Sequence, residues 1–288
     1  MSSAGFSPAK FVLFWFPTTL SIEVFAPTFR LSWLKRKTNK QQIMGYKLIT
    51  FDFTGTLMRF RKPPTVQYEN IARLYGIEIK NKKAFHDNFK KAFKTVNEVH
   101  PNFGASTNLH WTEWWLNVVK RTFISAGIHD SPNLDATSWH LIKLYGTTAG
   151  WEVVPGVERV LQSLKQKDKK IGIISNMDPR LENILKEAGL RHYFEFVLPS
   201  YEVKCVKPQS DIFRLALERY SLLCKENTKP EECCHIGDSY NEDYLGAVQS
   251  GWNAILVNKF SNSLNSSNWC ANFEEFHDRL LDSLINKK

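Results

Sequence analysis

Four stretches of the sequence hold residue types that together could handle a phosphoryl group at a metal ion. Asp52 follows the apolar run Leu48-Ile49-Thr50-Phe51, and Gly55 then allows a sharp turn. Ser175-Asn176 ends a second apolar run, Lys207-Pro208 lies beyond a third, and Gly237-Asp238-Ser239-Tyr240-Asn241-Glu242-Asp243 ends a fourth. The set comprises a carboxylate, a hydroxyl beside backbone amides, an ammonium and further carboxylates. Oxygen ligands of this kind suit magnesium, and a metal with a lysine offsets charge on phosphoryl oxygens. Asp52 could then act as a nucleophile and form an aspartyl-phosphate. Each residue taken singly has a plainer reading. An Asp after a strand fits a turn or helix cap, Ser175 fits a cap for the next helix, Asp243 fits a surface acid, and Lys204 competes with Lys207.

These groups meet only if the four runs are neighbouring parallel strands, which align their carboxyl ends along one edge. From Trp151 onward the sequence alternates short apolar runs with helical patterns. Strands are predicted at Lys170–Ser175, Phe194–Leu198, Cys234–Gly237 and Asn253–Val257, and helices from Pro155-Gly156 to Leu164, over Arg180–Ala188 and over Asp211–Tyr220. The fold class is therefore α/β, a parallel sheet with helices on both faces. Residues 59–148 instead carry apolar residues at three- and four-residue spacing over Val66–Tyr75, Lys83–Val99 and Trp111–Ala126. They read as an all-helical insertion after the first strand. Trp111, Trp114 and Trp115 fall at helical spacing and are expected to pack in its core. A polar loop at Ser261–Ser267 precedes a last helix near Phe273–Ile285.

A hydrophobic fraction of 43% over 288 residues supports a real core. The formal net charge is +9, but Lys10, Arg30, Lys35, Arg36, Lys37 and Lys40 against Glu23 alone place +5 of it within residues 1–45. Lys80, Lys82, Lys83, Lys90, Lys91 and Lys94 read as a solvated helix face, so no nucleic-acid partner is expected. Five cysteines without ligand spacing fit a reducing compartment and no structural zinc; Cys233 and Cys234 read as small core residues. The apolar run Phe11–Phe16 is cut by Pro17 and falls short of the ~20 residues that span a bilayer. Residues 1–43 are basic and nearly acid-free, like a mitochondrial transit peptide, though poor in arginine. The other reading is a dispensable extension ahead of Met44, in a cytoplasmic or nuclear protein.

The four motifs, in this order and spacing, resemble the signature of the haloacid dehalogenase-like hydrolase superfamily. They are Asp52-Phe53-Thr54-Gly55-Thr56, Ser175, Lys207 with Pro208, and Gly237-Asp238 through Asp243. Ser175-Asn176-Met177-Asp178-Pro179-Arg180-Leu181 and the tryptophan pair are similar to the subgroup of haloacid dehalogenase-like hydrolase domain-containing protein 3 and the rhythmically expressed gene 2 protein. The resemblance implies a Rossmann-like core of residues 44–58 and 149–288, and a helical cap of the first cap class over 59–148. It implies Mg2+ held by Asp52, the Thr54 carbonyl and Asp238 with Asp243 in support, and Asp52 as nucleophile. Ser175 and Lys207 would hold the transferred group, with Thr54, Gly55 and Asn176 lining its site, and the substrate would be a small, phosphorylated molecule. One position departs from the pattern: phosphatases of the superfamily place a second Asp where Thr54 stands. A hydroxyl cannot give the general acid–base help that is commonly worth ~10²–10⁴-fold in rate. A slow phosphatase is thus expected, with a carbon–halogen or phosphonate hydrolase, or a catalytically silent binding protein, as alternatives.

Overall fold

The structure, a computed structural model, describes residues 45–258, 264 and 266–281. Residues 1–43, most of the Ser261–Ser267 loop and the far end of the predicted last helix lie outside the described residues. The described residues all belong to the second of two contact units, Ile43–Lys288.

Chain order within the second unit runs β1 (Leu48–Phe51), β2 (Met58–Phe60), α1 (Pro64–Leu74), α2 (Lys82–Val99), α3 (Trp111–Ile124), α4 (Pro132–Leu144), β3 (Trp151–Val153), α5 (Val157–Gln166), β4 (Lys170–Ser175), α6 (Arg180–Glu187), β5 (Phe196–Pro199), α7 (Ser200–Val203), α8 (Ser210–Cys224), β6 (Cys233–Gly237) and β7 (Asn253–Leu256). Five strands form one parallel sheet in the order β5-β4-β1-β6-β7. The chain leaves β1 toward β4 and β5 on one side and later fills β6 and β7 on the other. The crevice between β1 and β6 is therefore a topological switch point, where open α/β sheets bind ligands.

β1 is buried at every residue, as a central strand covered on both faces must be. One face packs Leu48, Ile174, Phe196 and Leu198 against Ile212, Phe213, Ala216 and Tyr220 of α8. Helix α5 buries Val157, Val160, Leu161 and Leu164, and Phe51 meets Phe273 with ring centroids 6.4 Å apart. The thiols of Cys233 and Cys234 are fully buried core groups, and burial pushes that of Cys233 up to about 12.

Helices α1–α4 fall between β2 and β3, two three-residue strands that pair antiparallel, Phe60 opposite Trp151. The four helices build an aromatic core: Tyr68 stacks on Phe123 at 6.2 Å, Phe85 meets Phe123 edge-on at 5.0 Å, and Phe93 meets Trp114 at 5.2 Å. Helix α4 and the β2–β3 ribbon are additions to the predicted elements. Trp114 packs in the core as expected, whereas Trp111 and Trp115 are half-buried and hold a guanidinium. Among the described residues, no helix is long and apolar enough to cross a membrane.

Candidate active site

The parallel register lays the carboxyl ends of β1, β4 and β6 side by side. Asp52 is the residue after β1, Ser175 the last of β4, and Asp238 the first after β6. Lys207 arrives from the segment between α7 and α8. Its side chain is 1% exposed, and its ammonium donates to Asp52 Oδ1 at 2.7 Å, Asp243 Oδ1 at 2.6 Å and the Ile174 carbonyl at 2.8 Å. All three donors of the ammonium are thus used, by two acids and the strand that ends in Ser175. Lys204, the rival lysine, is exposed.

Asn176 holds Lys207 in place. Its Nδ2 donates to the Lys207 carbonyl at 3.0 Å, and its Oδ1 accepts from the Lys207 amide at 2.8 Å, so both ends of the side-chain amide engage the lysine backbone. Ser175 is buried, and the side chain that reaches the N-terminus of α6 is instead that of Asp178, whose Oδ1 accepts from the Arg180 amide at 3.1 Å. Asp243, 2% exposed, is no surface acid; its Oδ2 accepts from the Ser239 amide at 2.8 Å within a wide helical turn over Tyr240–Leu245.

Two glycines make room for these carboxylates. Gly55 sits at φ +80°, and a Cβ there would lie 2.7 Å from Asp238 Oδ2. A Cβ on Gly237 would collide with the Asp243 carboxyl. Asn258 Nδ2 donates to the Gly55 carbonyl at 2.6 Å and fixes the turn after Asp52.

Beneath the site runs a buried polar chain that the sequence reading missed. Thr50 Oγ1 meets His235 Nδ1 at 2.8 Å, and His235 Nε2 meets Asp243 Oδ1 at 3.1 Å. An ionised Asp243 only accepts, so Nε2 carries the proton and the Thr50 hydroxyl donates to Nδ1. Thr50 and His235 are register partners in β1 and β6, and a polar pair in otherwise apolar strands is the signal that would have found them.

Burial pushes the Asp52 carboxyl up to about 6, partly countered by Lys207 and reinforced by Asp243. Burial would also raise Asp243, but Lys207 and the bond from His235 outweigh it and hold that acid well below the usual carboxylate range. Burial would lower Lys207, yet the two carboxylates keep it firmly charged. His235 is driven down to about 4 by burial, and Glu242 up to about 8 for the same reason with Asp243 adding.

Carboxylate oxygens of Asp52, Asp238 and Asp243 lie within 4.8 Å of one another. Hard oxygen donors at that spacing, in space cleared by Gly55, fit a magnesium ion. Thr54 Oγ1 is buried without a hydrogen-bond partner. The arrangement brings three carboxylates, an ammonium and a hydroxyl to one sheet edge.

Comparison with known proteins agrees with this geometry. Residues 46–251 match the family model for haloacid dehalogenase-like hydrolases. The chain is 37% identical over 262 residues to the rhythmically expressed gene 2 protein of Drosophila melanogaster, covering 85% of this chain and 99% of that one. It is 36% identical over 211 residues to haloacid dehalogenase-like hydrolase domain-containing protein 3 of Bos taurus, covering 73% and 81%. Similar folds include a 2-haloacid dehalogenase of Pseudomonas syringae pv. Tomato, TM-score 0.56 at 20% identity over 81% of this chain and 97% of that one. A HAD phosphatase of Thermococcus onnurineus superposes with TM-score 0.55, also at 20% identity, covering 81% and 96%.

Proposed function

The chain belongs to the haloacid dehalogenase-like hydrolases, and from that premise we propose that it is a magnesium-dependent phosphatase working through an aspartyl intermediate on Asp52. The observation that carries this reading is the buried ammonium of Lys207 shared between Asp52 and Asp243, beside three carboxylates grouped for a cation.

In this reading Asp52, the Thr54 carbonyl and Asp238 would hold Mg2+, with Asp243 supporting the site while it fixes Lys207. Bound there, the ion would supply positive charge against the nucleophile and the transferring phosphoryl group. An oxygen of Asp52 attacks phosphorus in line, and the bond from phosphorus to the leaving oxygen breaks. The positive charge of Lys207, its donors committed to Asp52, Asp243 and the Ile174 carbonyl, offsets the charge of the phosphoryl oxygens from beside Asp52, and the Ser175 hydroxyl donates to them. Water then attacks the phosphorus of the aspartyl-phosphate and regenerates the carboxylate. Thr54 supplies no proton at either step, so the leaving group takes its proton from solvent, and esters of acidic alcohols react best. Helices α1–α4, residues 59–148, act as a cap over the site and set the choice of a small phosphorylated substrate, with the core formed by 44–58 and 149–288.

The missing acid at position 54 favours a second reading, hydrolysis of carbon–halogen or phosphonate bonds; the retained Asp238 and Asp243 favour the first. Trapping with beryllium fluoride, which mimics the aspartyl-phosphate, tests the proposal. Wild type is expected to bind it only with magnesium and Asp52→Asn not at all; identical behaviour of the two refutes the phosphatase. A panel of phosphate esters and haloacids, with and without magnesium, separates the two readings.

A further inference from the structure

The loop that follows β4 does more than carry Ser175 and Asn176. Three residues beyond Ser175, the Asp178 carboxylate is fully buried and fully occupied. Its Oδ1 accepts from the Arg180 amide at 3.1 Å and from Arg180 Nε at 2.9 Å, while Oδ2 accepts from Arg180 Nη2 at 2.6 Å and from the Trp115 indole at 2.7 Å. Trp115 is on α3, in the helical insertion. The guanidinium of Arg180 lies over the rings of Trp115, at 5.0 Å, and Trp111, at 5.2 Å, and its Nη1 donates to the Ile142 carbonyl of α4 at 3.4 Å. A charged fork drawn from the sheet domain is thereby gripped on three sides by α3 and α4.

A second seam reaches the same loop from the turn between α2 and α3. Asn102, Phe103 and Gly104 all take positive φ, 54°, 56° and 93°. A non-glycine residue in this region costs roughly 1–2 kcal/mol, so the turn is held by what it contacts. Asn102 and Ser200 exchange hydrogen bonds, Nδ2 to the Ser200 carbonyl at 2.8 Å and the Ser200 hydroxyl to Oδ1 at 2.7 Å, both buried. The neighbouring Tyr201 amide donates to the Met177 carbonyl at 3.2 Å. Phe103 stacks on Trp115 at 6.1 Å, which joins the two seams. The segment Asn176–Asp178 is thus held by the insertion at Asp178 and through Ser200–Tyr201 at Met177, and Asn176 in turn clamps Lys207.

Resting on the phosphatase reading above, we propose that Trp115, Asp178 and Arg180 are positioning residues: through them the helical insertion sets the loop that presents Ser175 to the phosphoryl group and holds Lys207 against Asp52. Trp115→Phe keeps a ring over Arg180 and against Phe103 but removes the indole N–H from Asp178. The expected result is a ~10–100-fold fall in kcat on acetyl phosphate, the scale that misplacement of reacting groups produces. KM, magnesium half-saturation and Tm stay near wild type. Amide hydrogen exchange speeds up in the peptide covering residues 175–179 and not in β1. Trp114→Phe is the control, because Trp114 is a fully buried core residue whose indole donates to the His100 carbonyl. Asp178→Asn, which weakens the guanidinium fork, serves if Trp115→Phe folds poorly.

Wild-type kcat and unchanged loop exchange in Trp115→Phe overturn the proposal, as does the same loss in Trp114→Phe. Absence of wild-type turnover together with faster loop exchange in Trp115→Phe supports the mechanical link and sinks the phosphatase reading instead.

Discussion

Replacing Thr54 with aspartate puts the central chemical claim at risk. The hydroxyl it removes is buried and bonded to nothing, so the substitution sacrifices no hydrogen bond. The added carboxyl stands two residues after Asp52, on the turn beside the cluster of Asp52, Asp238 and Asp243, whose oxygens already lie within 4.8 Å of one another. Like charges that close raise the pKa of the newcomer, into the range where a carboxylic acid can protonate a leaving oxygen near neutrality. General acid–base help is commonly worth ~10²–10⁴-fold, about 3–5 kcal/mol in the barrier. Crowding a further acid into the cluster works against stability by roughly 1–3 kcal/mol, so turnover and Tm are expected to move in opposite directions. The assay is steady-state hydrolysis of an alkyl and an aryl phosphate with magnesium, on wild type and Thr54→Asp. The alkyl ester, whose leaving alkoxide most needs a proton, gains the most. A folded variant that still shows a magnesium-dependent thermal shift but no gain on the alkyl ester refutes the account of position 54.

Further outcomes follow from the same geometry. Asp52, its pKa pushed up to about 6, favours its neutral form in the folded state, so stability is lost as pH rises from about 4 through 6. In magnesium-free thermal melts, Asp52→Asn should therefore exceed wild type by on the order of 2–3 kcal/mol at pH 7, with the gap closing toward pH 4, while turnover vanishes. His235, driven down to about 4, must stay neutral when buried, so its contribution is intact above about 6.5 and is lost as pH falls toward 4. Urea unfolding of His235→Gln should show a flatter pH dependence over that window, and an unchanged slope would count against the neutral imidazole. Lys207→Met leaves Asp52 and Asp243 facing each other without a cation and should cost about 3–5 kcal/mol in chemical unfolding. Gly237→Ala drives a methyl into the Asp243 carboxyl and should raise the magnesium needed for half-maximal turnover, read by titration.

The central strands were legible because a strand buried on both faces reads as an unbroken apolar run; β4 falls on the predicted Lys170–Ser175. Helix α4 was missed because Asn133, Asp135, Thr137, Ser138 and His140 dilute its apolar stripe. The β2–β3 ribbon was missed because strands of three residues carry too little pattern and their partners stand far apart in sequence. Each catalytic candidate was visible as a motif, but the pairing of the Asn176 side-chain amide with the Lys207 backbone was not, because those residues stand 31 apart in the chain. Thr50 and His235 each stood out as a polar residue in an apolar run, but joining them as a pair needed the register of β1 on β6. Trp115 was read as core filler because spacing reports which way a side chain faces and says nothing of what its nitrogen finds there.

The ribbon also bears on how the chain finds this arrangement. Phe60 and Trp151 are paired and their rings lie 4.3 Å apart, so the intervening helices leave and rejoin the sheet at one point. Once that junction zips, the long excursion between β1 and β4 is short-circuited, and joining the two strands costs the entropy of a much smaller loop. The same closure makes the excursion a cassette: a tight turn spliced across Phe60 and Trp151 would leave every hydrogen bond of the five-stranded sheet intact.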